Sequence, residues 1–174
     1  MKSDALRLFF ALDCPPALAE VIVAWRDSLH LSGRPVATAN LHLTLAFLGQ
    51  QPRARVPELL GLAARLQVPA FELRLDRLVR RRNGLVYLAP SQPIEGLLNL
   101  AQALRDALLA AGIGLENRPF LAHLSLLRHC PKLPPDVIPS FDWPATNFAL
   151  YASEQGPHGT QYRQLQQWPL LRND

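Results

Sequence analysis

Residues 42–45 read His-Leu-Thr-Leu, and residues 123–126 read His-Leu-Ser-Leu. Each segment has an imidazole and a hydroxyl two positions apart, and a leucine follows each of them. Because successive side chains of a β-strand point to opposite faces, the histidine and the hydroxyl residue of one segment would share a face, and the leucines would point into a core. The two segments therefore predict two half-buried strands that present the same polar pair.

Two imidazoles and two hydroxyls are the groups that an enzyme needs to add water to a phosphodiester without a metal ion. One imidazole removes a proton, the other supplies one, and the hydroxyls hold phosphate oxygens. A single segment of this kind is common, and its histidine alone would more often be structural than catalytic. The repetition, with leucines at the same offsets, favours catalysis. We expect the catalytic residues to be His42, Thr44, His123 and Ser125.

The rest of the chain mixes strand patterns with helix patterns. Apolar residues at helical spacing predict helices from Pro15 to the Ser32-Gly33 stop, over residues 55–66 and over 93–111. Strands are predicted at residues 7–13, 41–48 (ended by Gly49), 71–79, 85–88, 120–127, 148–153 and 162–165. Asn83-Gly84 lies between two strand patterns and predicts a hairpin turn, whereas residues 131–144, with five prolines, predict an irregular loop.

This order of elements predicts an α+β fold. A faint internal duplication is visible, because Arg34-Pro35 precedes the first motif and Arg118-Pro119 precedes the second. We interpret residues 1–174 as one domain of two similar lobes, each presenting one motif strand to a shared cleft.

Composition narrows the function classes. The net charge is +4, and all basic residues except Lys2 and Lys132 are arginines, which suits an anionic partner but equally fits the codon bias of a GC-rich genome. No apolar run approaches the ~20 residues of a membrane-spanning helix, and no phosphate-binding glycine pattern indicates a nucleotide cofactor. The apolar stretch at residues 8–12 is too short for a signal peptide, so we expect a cytoplasmic protein.

Metal and disulfide chemistry find no support in the sequence. Cys14 and Cys130 lack a metal-ligand spacing, and a lone pair in a chain that is not secreted predicts two free thiols. A zinc site on the two motif histidines would need a third ligand, and no acidic residue or cysteine lies at a suitable spacing. We therefore expect neither a metal nor a cofactor.

Five segments of the chain carry a family resemblance: Arg-Leu-Phe-Phe-Ala-Leu-Asp at 7–13, Asn-Leu-His-Leu-Thr-Leu-Ala-Phe-Leu-Gly at 40–49, Asn-Arg-Pro-Phe at 117–120, His-Leu-Ser-Leu-Leu-Arg at 123–128 and Leu-Tyr-Ala-Ser at 150–153. The paired His-x-Thr/Ser motifs resemble the two-histidine phosphoesterase superfamily. The surrounding segments resemble, within it, the bacterial RNA 2′,3′-cyclic phosphodiesterases, also called 2′–5′ RNA ligases. Ser125 stands where threonine is usual and keeps the hydroxyl.

The resemblance implies a bilobal α+β fold with two antiparallel sheets around a central cleft. It also implies hydrolysis of a terminal 2′,3′-cyclic phosphate on RNA to a 2′-phosphomonoester without a metal, with reversible 2′–5′ ligation as a related activity. The residues alone do not tell which histidine is the acid. By family analogy His42 is the proton donor and His123 the proton acceptor. The expected partner is an RNA with a cyclic phosphate end, no membrane is involved, and the protein is expected to be a monomer.

Further substrate-binding residues are suggested by position. Arg128 ends the second motif strand, but in a regular strand it falls on the face opposite His123 and would need a bulge to reach the cleft. Phe9 or Phe10 is a candidate for stacking on a base, with core packing as the alternative, and Tyr151 and Tyr162 carry the same two interpretations. The arginines at 80–82 precede the hairpin turn, where they would either guide an RNA backbone or form a solvated tip.

Two other functions remain open at this point. One is the same chemistry on another small cyclic phosphate. The other is a non-catalytic module that binds an RNA end, although binding alone does not require both an acid and a base.

Overall fold

The computed structural model describes residues 4–172. Its strands are β1 (Ala5–Asp13), β2 (Arg34–Pro35), β3 (His42–Pro52), β4 (Phe71–Leu75), β5 (Arg77–Arg80), β6 (Val86–Ala89), β7 (Leu124–Arg128), β8 (Phe141–Ala145), β9 (Asn147–Gly156) and β10 (Gly159–Pro169). Its helices are α1 (Pro16–Ser28), α2 (Val56–Ala64) and α3 (Glu95–Ala110). None of the helices within the described range has the length and apolarity that crossing a membrane requires.

The strands form antiparallel sheets, and the predicted α+β class is confirmed. Seven strands follow the order β10-β9-β1-β3-β7-β6-β5, β2 pairs with β7 in the same sheet, and β4 and β8 form a separate pair. The resemblance implied one sheet per lobe. Instead, the two motif strands are neighbours within one sheet, so the division into two lobes stays an interpretation.

The connection between the two motif strands is narrow. β3 and β7 pair at only one position, where Leu43 faces Leu124. Both leucines are fully buried. They join a single core with the apolar stripes of the three helices, which include Ile22, Leu59 and Leu100. The leucine that follows each motif histidine therefore fixes where the two halves of the sheet meet.

A bulge in β7 changes the alternation of its side chains. Along the partner strand β6, Tyr87 faces Ser125, but the next residue, Val86, faces Leu127, so Leu126 is an extra residue. Leu126 and Leu127 are both buried as a result. The residue after them returns to the face of Ser125, which a regular strand would not allow.

Three predicted elements differ from the structure. The strand predicted at residues 71–79 breaks at Asp76, whose carboxylate accepts hydrogen bonds from the backbone and hydroxyl of Ser91, and its halves β4 and β5 belong to different sheets. The loop predicted at residues 131–144 ends in β8, because alternating burial of its apolar residues seats them against the core. Gly49 does not end β3 but lies at a bulge with a φ of +68°.

The Asn83-Gly84 hairpin turn is confirmed, and it packs against the chain that follows β7. Gly84 has a φ of +88°, and its carbonyl oxygen accepts a hydrogen bond of 2.9 Å from the Cys130 amide. A Cβ at this position would lie 2.9 Å from the His129 Cα. The glycine thus permits both the turn and the close approach to the end of the second motif strand.

We predict that Gly84→Ala lowers the free energy of unfolding by about 1–3 kcal/mol, because it combines a strained backbone conformation with a backbone contact. Urea denaturation followed by circular dichroism measures the change. Gly114→Ala is the control, since a Cβ there meets no atom within 4 Å. Equal stability of the two variants would contradict this account.

Candidate active site

The pairing of Leu43 with Leu124 brings the four motif side chains together. In antiparallel strands, the neighbours of one such pair face each other in crossed order, so His42 lies beside Ser125 and Thr44 beside His123. All four residues line one cavity of about 670 Å³. The four predicted catalytic residues therefore share one site on one face of the sheet.

Both histidines are held by the same local hydrogen bond. Nδ1 of His42 lies 2.7 Å from the carbonyl oxygen of Asn40, and Nδ1 of His123 lies 2.9 Å from the carbonyl oxygen of Leu121. Because a carbonyl oxygen only accepts, Nδ1 carries a proton in each ring. Nε2 is then the nitrogen that gains or loses a proton, as general acid–base catalysis requires.

The hydroxyl of Thr44 lies next to the reactive nitrogen of His42. Its Oγ1 is 3.0 Å from Nε2 of the ring. The hydroxyl donates to Nε2 when the ring is neutral and accepts from it when the ring is charged. It therefore marks the place where an oxygen of a bound phosphate group would meet the imidazole.

His42 is enclosed by aromatic rings. The Phe9 ring centroid lies 5.0 Å from that of His42, and the Tyr162 ring meets the imidazole edge-on at 4.9 Å. Burial lowers the pKa of His42 below its ordinary value. The bond to the Asn40 carbonyl opposes this shift, whereas His123 and Arg128 lower the pKa further.

His123 has a different environment, although its Nδ1 is held in the same way. Tyr87 meets its ring edge-on, with the ring centroids 5.3 Å apart. The guanidinium carbon of Arg81 lies 5.7 Å from the centroid of the same Tyr87 ring. His123 itself lies just before the first residue of β7, not inside the strand as predicted.

Arginines make the cavity attractive to anions. Because of the bulge at Leu126, Arg128 lines the cavity together with Ser125. Arg34 faces Arg128 across the β2–β7 pair and lines the same cavity, as does Arg7. Among the described residues that line the cavity there is no carboxylate. This charge distribution favours a phosphate group over a cation.

Phe9 and Tyr151 lie where they support the histidine rather than a base. Phe9 is 4% exposed and Tyr151 is 7% exposed, and their rings stack at 5.4 Å. The Tyr151 hydroxyl donates to Oε1 of Gln164 at 3.1 Å, and its pKa is raised by burial and by Asp13. The buried rings form the floor beneath His42, which favours the core-packing alternative over base stacking.

Sequence reasoning missed several residues of this site. Tyr87 supports His123, and the exposed Phe47 lines the cavity beneath the Arg7 guanidinium, 4.8 Å from its ring centroid. Tyr162, which the sequence did offer as an aromatic candidate, covers His42. Asn40 supplies the carbonyl for His42, and its side chain also binds the Thr160 carbonyl at 2.9 Å. Of the missed residues only Asn40 had a signal in the sequence. It lies two residues before the first motif histidine, which is the spacing of Leu121 before the second.

Neither cysteine belongs to the site. Cys14 and Cys130 are both buried and free, as predicted. Burial, together with the charge of Asp13, raises the pKa of Cys14 to about 12. Among the described residues no three His, Cys, Asp or Glu side chains are grouped in a way that would hold a metal ion.

The chain is similar to known proteins in sequence and in fold. Residues 12–87 match the family model of the LigT-like phosphoesterases. The chain is 41% identical to the RNA 2′,3′-cyclic phosphodiesterase of Escherichia coli strain K12, covering 98% of this chain and 99% of that one. It is 34% identical to the enzyme of that name from Thermus thermophilus, covering 95% and 90%. A crystal structure of E. coli LigT complexed with 3′-AMP superposes with a TM-score of 0.84 at 39% identity, covering 95% and 98%.

We predict that His42 titrates below the ordinary histidine value of about 6.5 in the free protein. Arg128→Gln raises this pKa, because it removes a positive charge that disfavours the imidazolium. Saturating inorganic phosphate also raises it, because an anion favours the charged ring. NMR titration of ring carbon-bound protons measures these shifts. Arg74→Gln, at a surface ion pair with Asp142, is the control. An unshifted or raised pKa in the free protein would refute the prediction.

Proposed function

We propose that this chain, which belongs to the LigT-like phosphoesterase family, hydrolyses the 2′,3′-cyclic phosphate at the end of an RNA to a 2′-phosphomonoester. One observation carries the proposal: two imidazoles, each held at Nδ1 by a backbone carbonyl, and two hydroxyls surround one cavity that three arginines make positive. The curated relatives named RNA 2′,3′-cyclic phosphodiesterase, which match over nearly the full chain, support the choice of substrate.

The proposed reaction moves one proton at each histidine. Nε2 of neutral His123 takes a proton from water as its oxygen attacks phosphorus. The bond between phosphorus and the 3′ oxygen breaks, and Nε2 of protonated His42 gives its proton to that oxygen. The 2′ oxygen keeps its bond to phosphorus, so the product is a 2′-phosphate. Proton exchange with solvent then restores the starting state of both rings.

The environment of His42 suits a general acid that becomes protonated when the substrate binds. In the free protein the aromatic enclosure disfavours the imidazolium. A bound cyclic phosphate brings a negative charge to Nε2, which favours protonation of the ring. The assignment of His42 as donor and His123 as acceptor is supported by family analogy.

The hydroxyls and Arg128 would stabilise the charge that grows on the non-bridging oxygens. Thr44 lies across from His123, and Ser125 lies across from His42, so each hydroxyl can donate to a phosphate oxygen that lies between the strands. Arg128, brought to the same face by the bulge, adds a fork of donors for a phosphate group. Every group in this mechanism is a protein side chain, and none requires a metal ion.

We also propose the cellular setting of the reaction. The substrate is an RNA end, the protein acts as a monomer, and it is located in the cytoplasm. Ligation of a 5′-hydroxyl RNA through a 2′–5′ bond is a parallel opening of the same cyclic phosphate at the same site, in which an alcohol replaces water as the nucleophile. Water is present in large excess, so hydrolysis is the expected net direction.

We predict that His42→Ala and His123→Ala each lower kcat by about 10²–10⁴-fold, because each removes a proton-transfer group. The assay uses an oligoribonucleotide with a 2′,3′-cyclic phosphate in the presence of EDTA, and mass spectrometry with phosphatase mapping identifies the product. Full activity of either variant, a 3′-phosphate product, or no turnover by the parent protein would refute the proposed reaction. His30→Ala, outside the cavity, serves as the control.

The hydroxyl roles can be tested with substitutions that keep shape. We predict that Thr44→Val and Ser125→Ala each lower kcat by about 10–10³-fold with a smaller effect on KM, because the lost donor acts mainly in the transition state. Thr44→Ser and Ser125→Thr keep the hydroxyl and retain most activity. A purely structural role would instead show Thr44→Val and Thr44→Ser as equally impaired, or both as fully active.

A further inference from the structure

A second cavity adjoins the catalytic cavity on the His123 side. It has a volume of about 940 Å³ and shares Thr44, Phe47 and His123 with the first cavity. Its walls are formed by β3, by one face of α3 and by residues 115–121. We call it the arginine groove, because Arg81, Arg105 and Arg118 line it.

The groove is positive despite one carboxylate. Glu116 pairs with Arg118, whose side chain is 81% exposed, at 2.9 Å. Arg105 donates to the backbone oxygen of Glu116 at 3.2 Å and so joins α3 to the opposite wall. The Arg81 guanidinium lies over Tyr87. Three guanidinium groups face one carboxylate, which leaves net positive charge along a path that begins at His123.

The groove also offers apolar surface. Leu98 and Leu121 line it and are 44% and 43% exposed, and Phe47, at its junction with the catalytic cavity, is 42% exposed. Surfaces that bind single-stranded nucleic acid combine a positively charged groove for the phosphates with aromatic side chains on which bases stack, and here Phe47 and Phe120 are the aromatic residues that line the groove.

We propose that the arginine groove binds the backbone of the same RNA whose cyclic phosphate lies between the histidines. This inference rests on the proposed function and extends it from an RNA end to an RNA chain. The base and the 5′ oxygen of the terminal ribose point in different directions, so a nucleoside placed at the junction can direct its base into one cavity and its chain into the other. The two cavities together exceed what one nucleotide fills.

The consequence is a dependence of turnover on RNA length. A nucleoside 2′,3′-cyclic phosphate engages only the catalytic cavity, whereas an oligonucleotide also brings phosphates to Arg105 and Arg118. Each phosphate contact with a single strand contributes a slope of about −0.7 to the salt dependence of binding. The parent protein should therefore process a hexanucleotide more efficiently than a mononucleotide, with an advantage that declines as salt increases.

The experiment compares kcat/KM for cytidine 2′,3′-cyclic phosphate and for a hexanucleotide ending in the same group, between 50 and 200 mM salt. The variant is Arg105→Gln with Arg118→Gln. Arg81 is left unchanged because it packs on Tyr87, which supports His123. The control is Arg65→Gln with Arg172→Gln, which loses the same charge at exposed positions outside both cavities.

In the groove variant we expect the hexanucleotide-to-mononucleotide ratio of kcat/KM to fall about tenfold at 50 mM salt, and the salt slope for the hexanucleotide to become shallower by about 1.4. The control variant should keep the ratio of the parent protein. An unchanged ratio in the groove variant, or an equal fall in the control, would overturn the groove.

Failure of the groove and failure of the proposed function give different results. If the parent protein hydrolyses neither substrate, the proposed function is wrong. If it hydrolyses both and the ratio does not respond to the groove substitutions, the function stands and the groove proposal is wrong.

Discussion

The pairing of Leu43 with Leu124 is the contact on which the site depends. It is the one paired position between β3 and β7, and both side chains are fully buried. Because side chains alternate along each strand, burial of these leucines on one face places a histidine and a hydroxyl from each strand on the other. A shift of one residue in either strand would expose leucine and bury imidazole, so the hydrophobic core sets the register of the catalytic groups.

The second constraint is local and acts in each motif separately. A backbone carbonyl two residues before each histidine, from Asn40 and from Leu121, accepts from Nδ1 and directs Nε2 into the cavity. This bond needs no particular side chain at the residue that provides it. It fixes the ring orientation and the tautomer at once, and these are the two properties that a general acid or base must have before substrate arrives.

The sequence was sufficient for the mixed class, the two motifs and the Asn83-Gly84 turn, because each depends on local patterns. It was not sufficient for features that depend on pairing. The position of Arg128 followed from a bulge at Leu126, which only the register with β6 shows. The break at Asp76 arises because β4 and β5 pair with different strands. The burial of Phe9 and Tyr151, and the contact of Phe9 with His42, likewise depend on tertiary packing that the sequence pattern does not show.

The two histidines have equal local geometry but unequal surroundings, and this difference has a functional reading. His42 is enclosed by Phe9 and Tyr162, so its charge depends on an anion in the cavity. His123 lines both the first cavity and the arginine groove, to which we propose that an RNA chain binds. An acid that is charged only when phosphate is bound does not act on other groups, and a base that faces open space can receive water. In the proposed mechanism, two motifs that differ only at Thr44 and Ser125 do opposite work because their neighbours differ.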